Sequence, residues 1–528
     1  MSRFGNGQSF FPNENIPTLT FTETEFESVQ DWFQVSPTES KLTNLWAIII
    51  SNPQIYSSES KWTFEKVLHE FEIIEKELAL DRSLIDGVPW WDALRYPIFL
   101  GVLRELGLLE KAEITDYRLN QKRKAARLYK TFLDIVSFFS PRSPLWLKKQ
   151  SIVIWGHPRR KWQDGSYIDV YVDPFIDLLP RSSNFAVLER SESGHLKPTV
   201  TQNLFYTDSV QAVALILYLI KKKSKKLLGS LGDAEELERK LNQVFGMDFR
   251  IQKQVRNEIL HWKSIYPLMR RFFQFKRPSH FFIVVGAGQE AIISAAKDAG
   301  VPTFELQHGS PARGKLNYDY SSGLIKRSFP DFFLSFGEYW SEFVGLPLPR
   351  QRVISFGYPY LAEKVATQSN VCLKKSQLLI ISQPVHGSAL AELAIQISQH
   401  HKNKIEVIFK PHPAELRYGE PGYFRKLQLS GVTISDRNSD LYLLFAQSSW
   451  QVGVYSTALY EGLCFGVACF VARLPGFEHM KPLIDVGLAR LINDHHDVDL
   501  DWSVDRKDAQ ELFEQPSREK VEKILSYD

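Results

Sequence analysis

Two successive series of short apolar runs, each alternating with helical segments, constrain the fold of this chain most strongly. Strand candidates of the first series lie at 151–155, 185–188, 280–285, 303–306, 332–336 and 353–356. Strand candidates of the second series lie at 378–382, 405–409, 432–434, 451–454 and 468–471. Continuous apolar strands that alternate with helices are typical of parallel sheets covered by helices on both faces. The sequence therefore predicts an α/β fold with two doubly wound, Rossmann-like domains.

The length of 528 residues allows two or three domains. We expect a helical N-terminal extension at 1–145, a first Rossmann-like lobe at 146–365 with a helical insertion at 209–275, a second Rossmann-like lobe at 376–500, and a terminal segment at 501–528. An amphipathic pattern at 505–525 predicts a terminal helix that packs back across the first domain.

Two adjacent tryptophans, Trp90 and Trp91, interrupt the N-terminal extension close to two prolines. Large aromatic side chains dominate buried interfaces, so we expect the two indoles to pack against the next domain. An exposed platform for a sugar ring is the alternative interpretation.

Composition excludes several classes of protein. Basic residues number 64 and acidic residues 61, and the net charge of +3 gives no global field for binding nucleic acid. The three cysteines, Cys372, Cys464 and Cys469, match neither a disulfide framework nor a zinc site, which favours a reducing compartment. The N-terminus lacks a signal-peptide pattern, and the longest apolar run, 210–220, is shorter than the roughly 20 residues that span a bilayer. We therefore expect a cytoplasmic protein.

A basic run at 221–226 follows that apolar run directly. A solvated helix end is the simpler interpretation. Clustered lysines beside an apolar face also favour acidic lipid headgroups, so peripheral contact with the inner membrane is the alternative.

Two polar segments follow strand candidates of the second series. The first contains Lys410 and His412, and the second contains Ser456 and Thr457 at a predicted helix start. Open α/β sheets bind ligands where their strands end, and the N–H groups of a helix start attract anions. Together the two segments predict a clamp for a phosphate group.

A glycine turn at 284–291 resembles a dinucleotide fingerprint only superficially. Ala291 stands in place of the third glycine, and no acidic residue follows the next strand convincingly. We instead expect this turn to present Gln289 and Glu290 at a cleft between the lobes.

The next strand candidate ends in Gln307, His308 and Gly309, and the acidic Asp319 follows in the same loop. A glycine lets the backbone approach a ligand, and the near-neutral pKa of histidine suits proton transfer or phosphate contact. A histidine that only caps its own loop is the structural alternative.

These motifs resemble those of bacterial GT-B glycosyltransferases that build capsules, O-antigens and teichoic acids. The resemblance rests on the Gln-His-Gly segment at 307–309, the Lys-Pro-His-Pro segment at 410–413, and Ser456-Thr457 followed by Glu461. It covers about 151–500, and the most similar families by pattern are CDP-glycerol glycerophosphotransferases, capsule Kdo transferases, and sialyl- and polysialyltransferases.

The resemblance implies roles for the residues of the second lobe. His412 would contact the donor phosphate, Ser456 and Thr457 would hold the same phosphate, and Glu461 would bind the ribose hydroxyls. The chain has no metal-binding Asp-x-Asp in a sugar-nucleotide context, so no metal or other cofactor is expected. These hydrogen-bond donors and Lys410 would then stabilise the departing phosphate.

A transferase also needs a base for the acceptor hydroxyl, or a carboxylate nucleophile. The carboxylate candidates are Asp164, Asp169, Asp173, Glu290 and Asp319. Asp164 follows the first strand beside Arg159, as a cleft loop should, although Asp164-Gly165 also fits a simple turn. His308 and Asp164 are the leading pair.

The sequence thus predicts a metal-independent glycosyltransferase that moves a sugar from a nucleotide-activated donor to a bacterial surface glycan. CMP-linked donors are favoured through the resemblance alone, and uridine-linked sugars stay open. A UDP-N-acetylglucosamine 2-epimerase-like enzyme is the alternative within the same fold. A catalytically silent glycan-binding or assembly subunit is the alternative from another class.

Overall fold

A computed structural model describes residues 62–108, 137–157, 160–190, 194–223, 230–368, 374–384, 386–413, 415–416, 420–436, 439–474 and 476–527. Arg159, one of the predicted cleft residues, lies outside the described residues, and so do the last two lysines of the basic run at 221–226.

The first lobe contains a seven-stranded parallel sheet and a small antiparallel hairpin. The strands in chain order are β1 (Ile152–Trp155), the hairpin β2 (Lys161–Gln163) and β3 (Ser166–Ile168), β4 (Phe185–Glu189), β5 (Leu204–Tyr206), β6 (His280–Ile283), β7 (Thr303–Leu306), β8 (Phe332–Ser335) and β9 (Val353–Ser355). The order in the sheet is β5-β4-β1-β6-β7-β8-β9. All neighbouring strands pair in parallel.

The second lobe contains a six-stranded sheet, again with parallel pairing throughout. Its strands are β10 (Gln377–Ile381), β11 (Glu406–Lys410), β12 (Thr433–Ile434), β13 (Trp450–Gly453), β14 (Ala468–Ala472) and β15 (Ala489–Ile492). The order is β12-β11-β10-β13-β14-β15.

Helices cover both faces of both sheets. They are α1 (Phe64–Glu77), α2 (Trp90–Glu105), α3 (Val172–Ile176), α4 (Asp208–Lys223), α5 (Gly232–Phe245), α6 (Gln252–Lys276), α7 (Glu290–Lys297), α8 (Tyr339–Glu342), α9 (Pro359–Gln368), α10 (Gly387–His400), α11 (Tyr423–Leu429), α12 (Leu441–Gln447), α13 (Thr457–Leu463), α14 (Lys481–Asp485) and α15 (Arg518–Ile524). Within the described residues, no helix combines the length and the apolar character needed to cross a bilayer.

The predicted fold class is confirmed: the chain is an α/β protein with two doubly wound, Rossmann-like lobes. Each predicted strand is present within one or two residues of its expected ends. The sequence did not indicate β5 and β15, because β5 has only three residues and β15 is an edge strand that carries Arg490. It also did not indicate the β2–β3 hairpin.

The N-terminal helices α1 and α2 share one apolar core with a face of the first sheet. Trp90 and Trp91 are buried in this core, which confirms packing and excludes the sugar platform. The indole of Trp91 donates a hydrogen bond to Glu75 (3.0 Å), and that of Trp90 donates to Ser83 (2.8 Å). The helices therefore stabilise the first lobe directly.

The terminal helix α15 packs against the opposite face of the first sheet through Val521 and Ile524. The helix predicted at 505–525 is wrong over its first half, because α15 begins only at Arg518, after Pro516. Proline disfavours helical geometry in the residue before it, and Ser517 caps the new start by accepting from the Lys520 N–H.

In each sheet, the first strand in the chain is a central strand, and this strand order predicts where a ligand binds. The chain runs from β1 outward to β5 and then returns to β6, and it runs from β10 outward to β12 and then returns to β13. Ligands of open α/β sheets bind outside the carboxyl ends of the strands at such a switch point. The loops after β10, β11 and β13 are therefore the natural binding edge of the second lobe.

Candidate functional site

The β2–β3 hairpin carries Lys161 from the first lobe to the second. Asp164 and Gly165 form its two-residue turn with φ of 49° and 80°, the left-handed geometry that an Asp-Gly turn supplies. Lys161 Nζ lies 3.1 Å from Asp440 Oδ1 and donates to the Tyr360 hydroxyl at 3.2 Å. Tyr360 in turn donates to Gln163 Oε1 at 2.8 Å. The hairpin thus holds a cation against the binding edge of the second lobe.

Glu461 lies behind this contact on α13. The Tyr442 hydroxyl donates to Glu461 Oε2 at 2.7 Å, and the N–H of Tyr442 donates to Asp440 at the start of α12. Burial raises the pKa of Glu461 to about 7, although the Tyr442 hydrogen bond and the charge of Lys161 act in the opposite direction. Its carboxyl group therefore changes protonation near neutral pH.

Lys410, at the end of β11, places a second cation at the same edge. Its Nζ donates to the Asp436 carbonyl at 3.1 Å. Burial lowers the pKa of Lys410, the charges of Asp436 and Asp440 act against this, and the positive charge of Lys161 adds to it. We call Lys161, Lys410, Asp440, Tyr442 and Glu461 the cleft network. The network combines the positive charges of Lys161 and Lys410 with the carboxyl group of Glu461, which changes protonation near neutral pH.

Glu415 fixes the loop that carries His412. Its Oε2 accepts from the His412 N–H at 2.6 Å, and its Oε1 accepts from the hydroxyls of Ser382 (2.8 Å) and Tyr423. A Cβ at Gly387 would lie only 2.3 Å from Glu415 Oε1, so this close approach requires glycine. Burial raises the pKa of Glu415. The loop after β11 is thereby tied to the end of β10.

The loop after β13 is tied to β10 as well. Gln383 Oε1 accepts from the Tyr455 N–H at 3.2 Å. Ser456 precedes α13 and its hydroxyl accepts from the Ala458 N–H at 3.3 Å, while Thr457 is the first residue of the helix. The two polar segments predicted from the sequence therefore lie on either side of the same β10 loop. Their proximity is what a phosphate clamp requires.

His308 lies at the carboxyl end of β7 in the first lobe. Its ring centroid lies 6.3 Å from that of His157 and 6.4 Å from that of Tyr171. Tyr171 donates to the His308 carbonyl at 2.7 Å and stacks on Tyr358, with ring centroids 5.5 Å apart. Asp169 Oδ2 accepts from the His157 N–H at 2.9 Å. The imidazole rings of His157 and His308 therefore lie near each other at the carboxyl ends of β1 and β7.

Gln307 and Gly309 shape the loop around His308. The Gln307 amide donates to the Gly309 carbonyl at 2.9 Å and accepts from the Phe336 N–H at 2.7 Å, so it joins the ends of β7 and β8. A Cβ at Gly309 would meet no atom within 4 Å. Gln307 therefore acts on the loop, while Gly309 borders open space.

Three of the carboxylate candidates are engaged in contacts within the first lobe. Asp319 is fully buried and accepts from Arg313, from the Gly314 N–H and from Ser321. Asp169, also fully buried, accepts from the backbone of Tyr171 and Val172 as well as that of His157. Glu290 forms a buried ion pair with Lys326 at 3.0 Å.

The other two carboxylate candidates differ from each other in exposure. Asp164 is exposed at the tip of the hairpin and accepts from the Gln163 amide at 3.1 Å. Asp173 is buried and accepts from the Asp169 N–H at 2.8 Å, and burial raises its pKa to about 6.

The N-terminal helices hold the long loop between β7 and β8. Arg95 is buried in an ion pair with Glu75 (2.5 Å), and its guanidinium also donates to the carbonyls of Leu316 (3.0 Å) and Asp319 (2.5 Å). Asp92 Oδ2 accepts from both the N–H and the hydroxyl of Ser328 at 2.8 Å. The loop that begins with His308 is therefore positioned by residues more than 200 positions earlier in the chain.

A cavity of about 370 Å³ opens between α2, α6 and the turn after β6. Its lining exposes more apolar than polar surface, and it includes the polar side chains of Asp92, Tyr96, Gln254, Glu290 and Asn317. Burial raises the pKa of Tyr96, while the charge of Arg104 acts against this rise. A cavity of this volume, with a mostly apolar lining and several polar side chains, fits a sugar-sized ligand.

One group of described residues has the donor atoms for a metal ion. Ring nitrogens of His400, His495 and His496 lie within 4.8 Å of one another. They belong to the end of α10 and the turn after β15, and none of them belongs to the cleft network.

Sequence reasoning missed Lys161, Glu415 and Tyr442. The sequence shows a basic run at 159–161, but it does not show which of these side chains reaches the second lobe. In the structure, the hairpin directs Lys161 to Asp440 of the second lobe, while Arg160 pairs with Glu189 of the first. Glu415 follows the Lys-Pro-His-Pro segment closely, and an acidic residue in so short a polar loop indicates a side chain that accepts hydrogen bonds from the loop. Nothing in the sequence marks Tyr442.

No protein-family model matches the chain, and no curated protein is significantly similar to it. The UDP-GlcNAc 2-epimerase from Methanocaldococcus jannaschii is a similar solved structure, with 11% identity and a TM-score of 0.42 over 71% of this chain and 99% of that one. The Neisseria meningitidis UDP-GlcNAc 2-epimerase bound to UDP-GlcNAc has 12% identity and a TM-score of 0.40 over 65% and 87%. The wall teichoic acid polymerase TagF has 12% identity and a TM-score of 0.38 over 78% and 98%. Likeness at this level is no evidence for a shared substrate.

Proposed function

We propose that this protein is a glycosyltransferase that moves a sugar from a nucleotide-activated donor to a bacterial surface-glycan acceptor without a metal ion. The observation that carries the proposal is the reach of Lys161 from the first lobe to Asp440 of the second, at the edge where Lys410 ends β11 and Tyr442 joins Asp440 to Glu461. Two cations at the binding edge of a Rossmann-like sheet suit the phosphate of a nucleotide. The preference for a CMP-linked donor rests on the resemblance of the motifs.

The donor would lie in the second lobe. Its phosphate would be held by Lys410, by His412 and by the segment Ser456-Thr457. Glu461 Oε2 is engaged by Tyr442, while Oε1 accepts no hydrogen bond from the described residues and can accept from a ribose hydroxyl. The positive charge at this edge would offset the charge that develops on the leaving phosphate, which is the role a metal ion plays in other transferases.

The acceptor would enter from the first lobe, where the cavity of about 370 Å³ lies between α2 and α6. The acceptor oxygen forms a bond to the anomeric carbon while the bond from that carbon to the phosphate oxygen breaks. The proton of the acceptor hydroxyl would pass to the imidazole of His308, because histidine is a side chain that serves in proton transfer near neutral pH. Glu290 is held by Lys326 and would line the acceptor cavity rather than act on the proton.

Calorimetric titration with CMP, CDP and UDP in the presence of EDTA tests the donor site. We expect the wild-type protein to bind a cytidine nucleotide and His412→Ala to weaken binding about tenfold or more, because charge-assisted contacts to phosphate are strong. Lys402→Met, an exposed lysine of the same lobe, is the matched control and should bind like the wild type. Failure of all three nucleotides to bind, or unchanged affinity in His412→Ala, contradicts the proposal.

Product analysis separates the alternatives. Incubation with a CMP-sugar should release CMP, and release should fall in His308→Gln with little change in nucleotide affinity. Conversion of UDP-N-acetylglucosamine to its 2-epimer would show the epimerase instead. Nucleotide binding without turnover of any donor would indicate a silent subunit.

A further inference from the structure

Large apolar side chains are exposed together on the helical part of the first lobe. Phe139 and Phe275 are each 78% exposed, Ile220 is 60% exposed and Trp146 is 58% exposed. They come from the turns around 137–146 and from the C-terminal ends of α4 and α6. Exposed contiguous apolar surface of this kind marks an interaction site.

Phe275 lines an apolar cavity of about 410 Å³, and the chain neighbours of Phe139 and Trp146 line it as well. Phe138 and Leu145 line one side of it, Val213 of α4 lines another, and Leu268 and Phe272 of α6 complete it. On α4, Val213, Ile216 and Ile220 follow three- and four-residue spacing, so they extend the apolar face along the helix. The surface is thus one continuous apolar face rather than scattered residues.

Hydrogen bonds hold this face in shape. Lys276 Nζ donates to the carbonyls of Leu145 and Leu147, which ties the turn at 144–147 to the end of α6. The Trp146 indole donates to the Phe138 carbonyl at 3.1 Å. The aromatic side chains are therefore presented by a fixed backbone.

The charge around this face has a single sign. The segments 137–149, 209–223 and 266–277 that form it contain lysines and arginines but no aspartate or glutamate. The basic residues are Arg142, Lys148, Lys149, Lys221, Lys222, Lys223, Arg270, Arg271, Lys276 and Arg277. The whole chain carries nearly equal numbers of basic and acidic residues, so this distribution is local.

We propose that this face, defined by Phe139, Trp146, Ile220 and Phe275 with the surrounding basic residues, docks the protein onto an anionic lipid bilayer. Apolar and aromatic side chains would enter the interfacial region, and the lysines and arginines would contact acidic headgroups. A protein partner or a second copy would need an acidic rim to match this charge, whereas a bilayer supplies negative charge over the whole face. The inference does not depend on the proposed activity.

Co-sedimentation of the full-length protein with vesicles tests the docking face. We expect binding to vesicles that contain phosphatidylglycerol and much weaker binding to vesicles of phosphatidylcholine alone, with the difference lost at high salt. Phe139→Ser/Phe275→Ser should weaken binding about tenfold or more because it removes the two most exposed rings of the face. Lys221→Glu/Arg270→Glu should weaken it about as much because it reverses two charges.

The matched control is Leu429→Ser/Val486→Ser, which removes two exposed apolar side chains of the second lobe. It should bind vesicles like the wild type. The proposal is overturned if the wild type does not bind anionic vesicles, if the two face variants bind as well as the wild type, or if the control loses as much. It is also overturned if the wild type does not bind vesicles and analytical ultracentrifugation shows that the face variants convert a dimer to a monomer. The face would then join two copies of the chain.

Discussion

Glu461→Gln should stabilise the protein at alkaline pH and not at acidic pH. Burial raises the pKa of Glu461 to about 7 in the folded chain, against an ordinary value of 4.5. A group whose folded pKa is raised binds more protons when folded than when unfolded between those two values, so stability falls as pH rises through this range. Glutamine resembles the protonated side chain and keeps an oxygen that accepts from the Tyr442 hydroxyl.

The size of the effect follows from the pKa. Each unit of difference corresponds to about 1.4 kcal/mol, so ionisation of Glu461 costs the wild type up to about 3 kcal/mol at high pH. Between pH 5 and pH 8, where most of this change occurs, the stability advantage of Glu461→Gln should grow by about 2 to 3 kcal/mol. Urea unfolding at both pH values measures it directly through the shift of the midpoint.

Glu392→Gln, an exposed carboxylate of α10 in the same lobe, provides the control and should show almost no pH-dependent gain. An equal effect of Glu461→Gln at pH 5 and pH 8 would refute the reasoning, because it would mean that the carboxyl group is already ionised at pH 5. Loss of stability at pH 8 would refute it as well, since the attraction between the Glu461 carboxylate and the charge of Lys161 would then outweigh burial.

Lys161→Met should weaken nucleotide binding about fivefold to tenfold in calorimetry with little change in melting temperature, because the half-exposed pair with Asp440 is worth at most about 1 kcal/mol to folding. Glu415→Ala should raise KM for the donor more than it lowers kcat, and it should cost about 2 kcal/mol in urea unfolding because buried hydrogen-bond donors lose their acceptor. Glu415→Gln should recover most of both losses, and wild-type kinetics in the alanine variant would contradict this reasoning. Arg95→Leu should cost about 3 to 5 kcal/mol because it leaves Glu75 buried without its cation, and a loss below about 1 kcal/mol would show that the pair is dispensable.

The sequence predicted the sheets and the clamp loops well because both depend on local patterns. Apolar runs of four or five residues indicate buried parallel strands, and the residues that follow them must lie at the carboxyl edge. Lys410, His412 and Ser456 were therefore placed correctly at strand ends or helix starts. The local failures are the short strands β5 and β15, the β2–β3 hairpin, and the helix at 505–525, where Pro516 sets a later start.

The partners of the charged residues could not be predicted because they come from distant parts of the chain. Asp319 is satisfied by Arg313 and local backbone, and its own carbonyl accepts from Arg95. Glu290 is neutralised by Lys326. Only the folded chain distinguishes carboxylates that maintain the loop between β7 and β8 from those that face the cleft, and only the hairpin geometry brings Lys161 to the second lobe.

A crystal structure of the protein with bound CMP tests the central claim most directly. The account predicts the CMP phosphate within hydrogen-bonding distance of Lys410 Nζ and of the loop that carries His412, with the ribose hydroxyls near Glu461. A nucleotide bound in the cavity between α2 and α6, or at any site away from the cleft network, would contradict it.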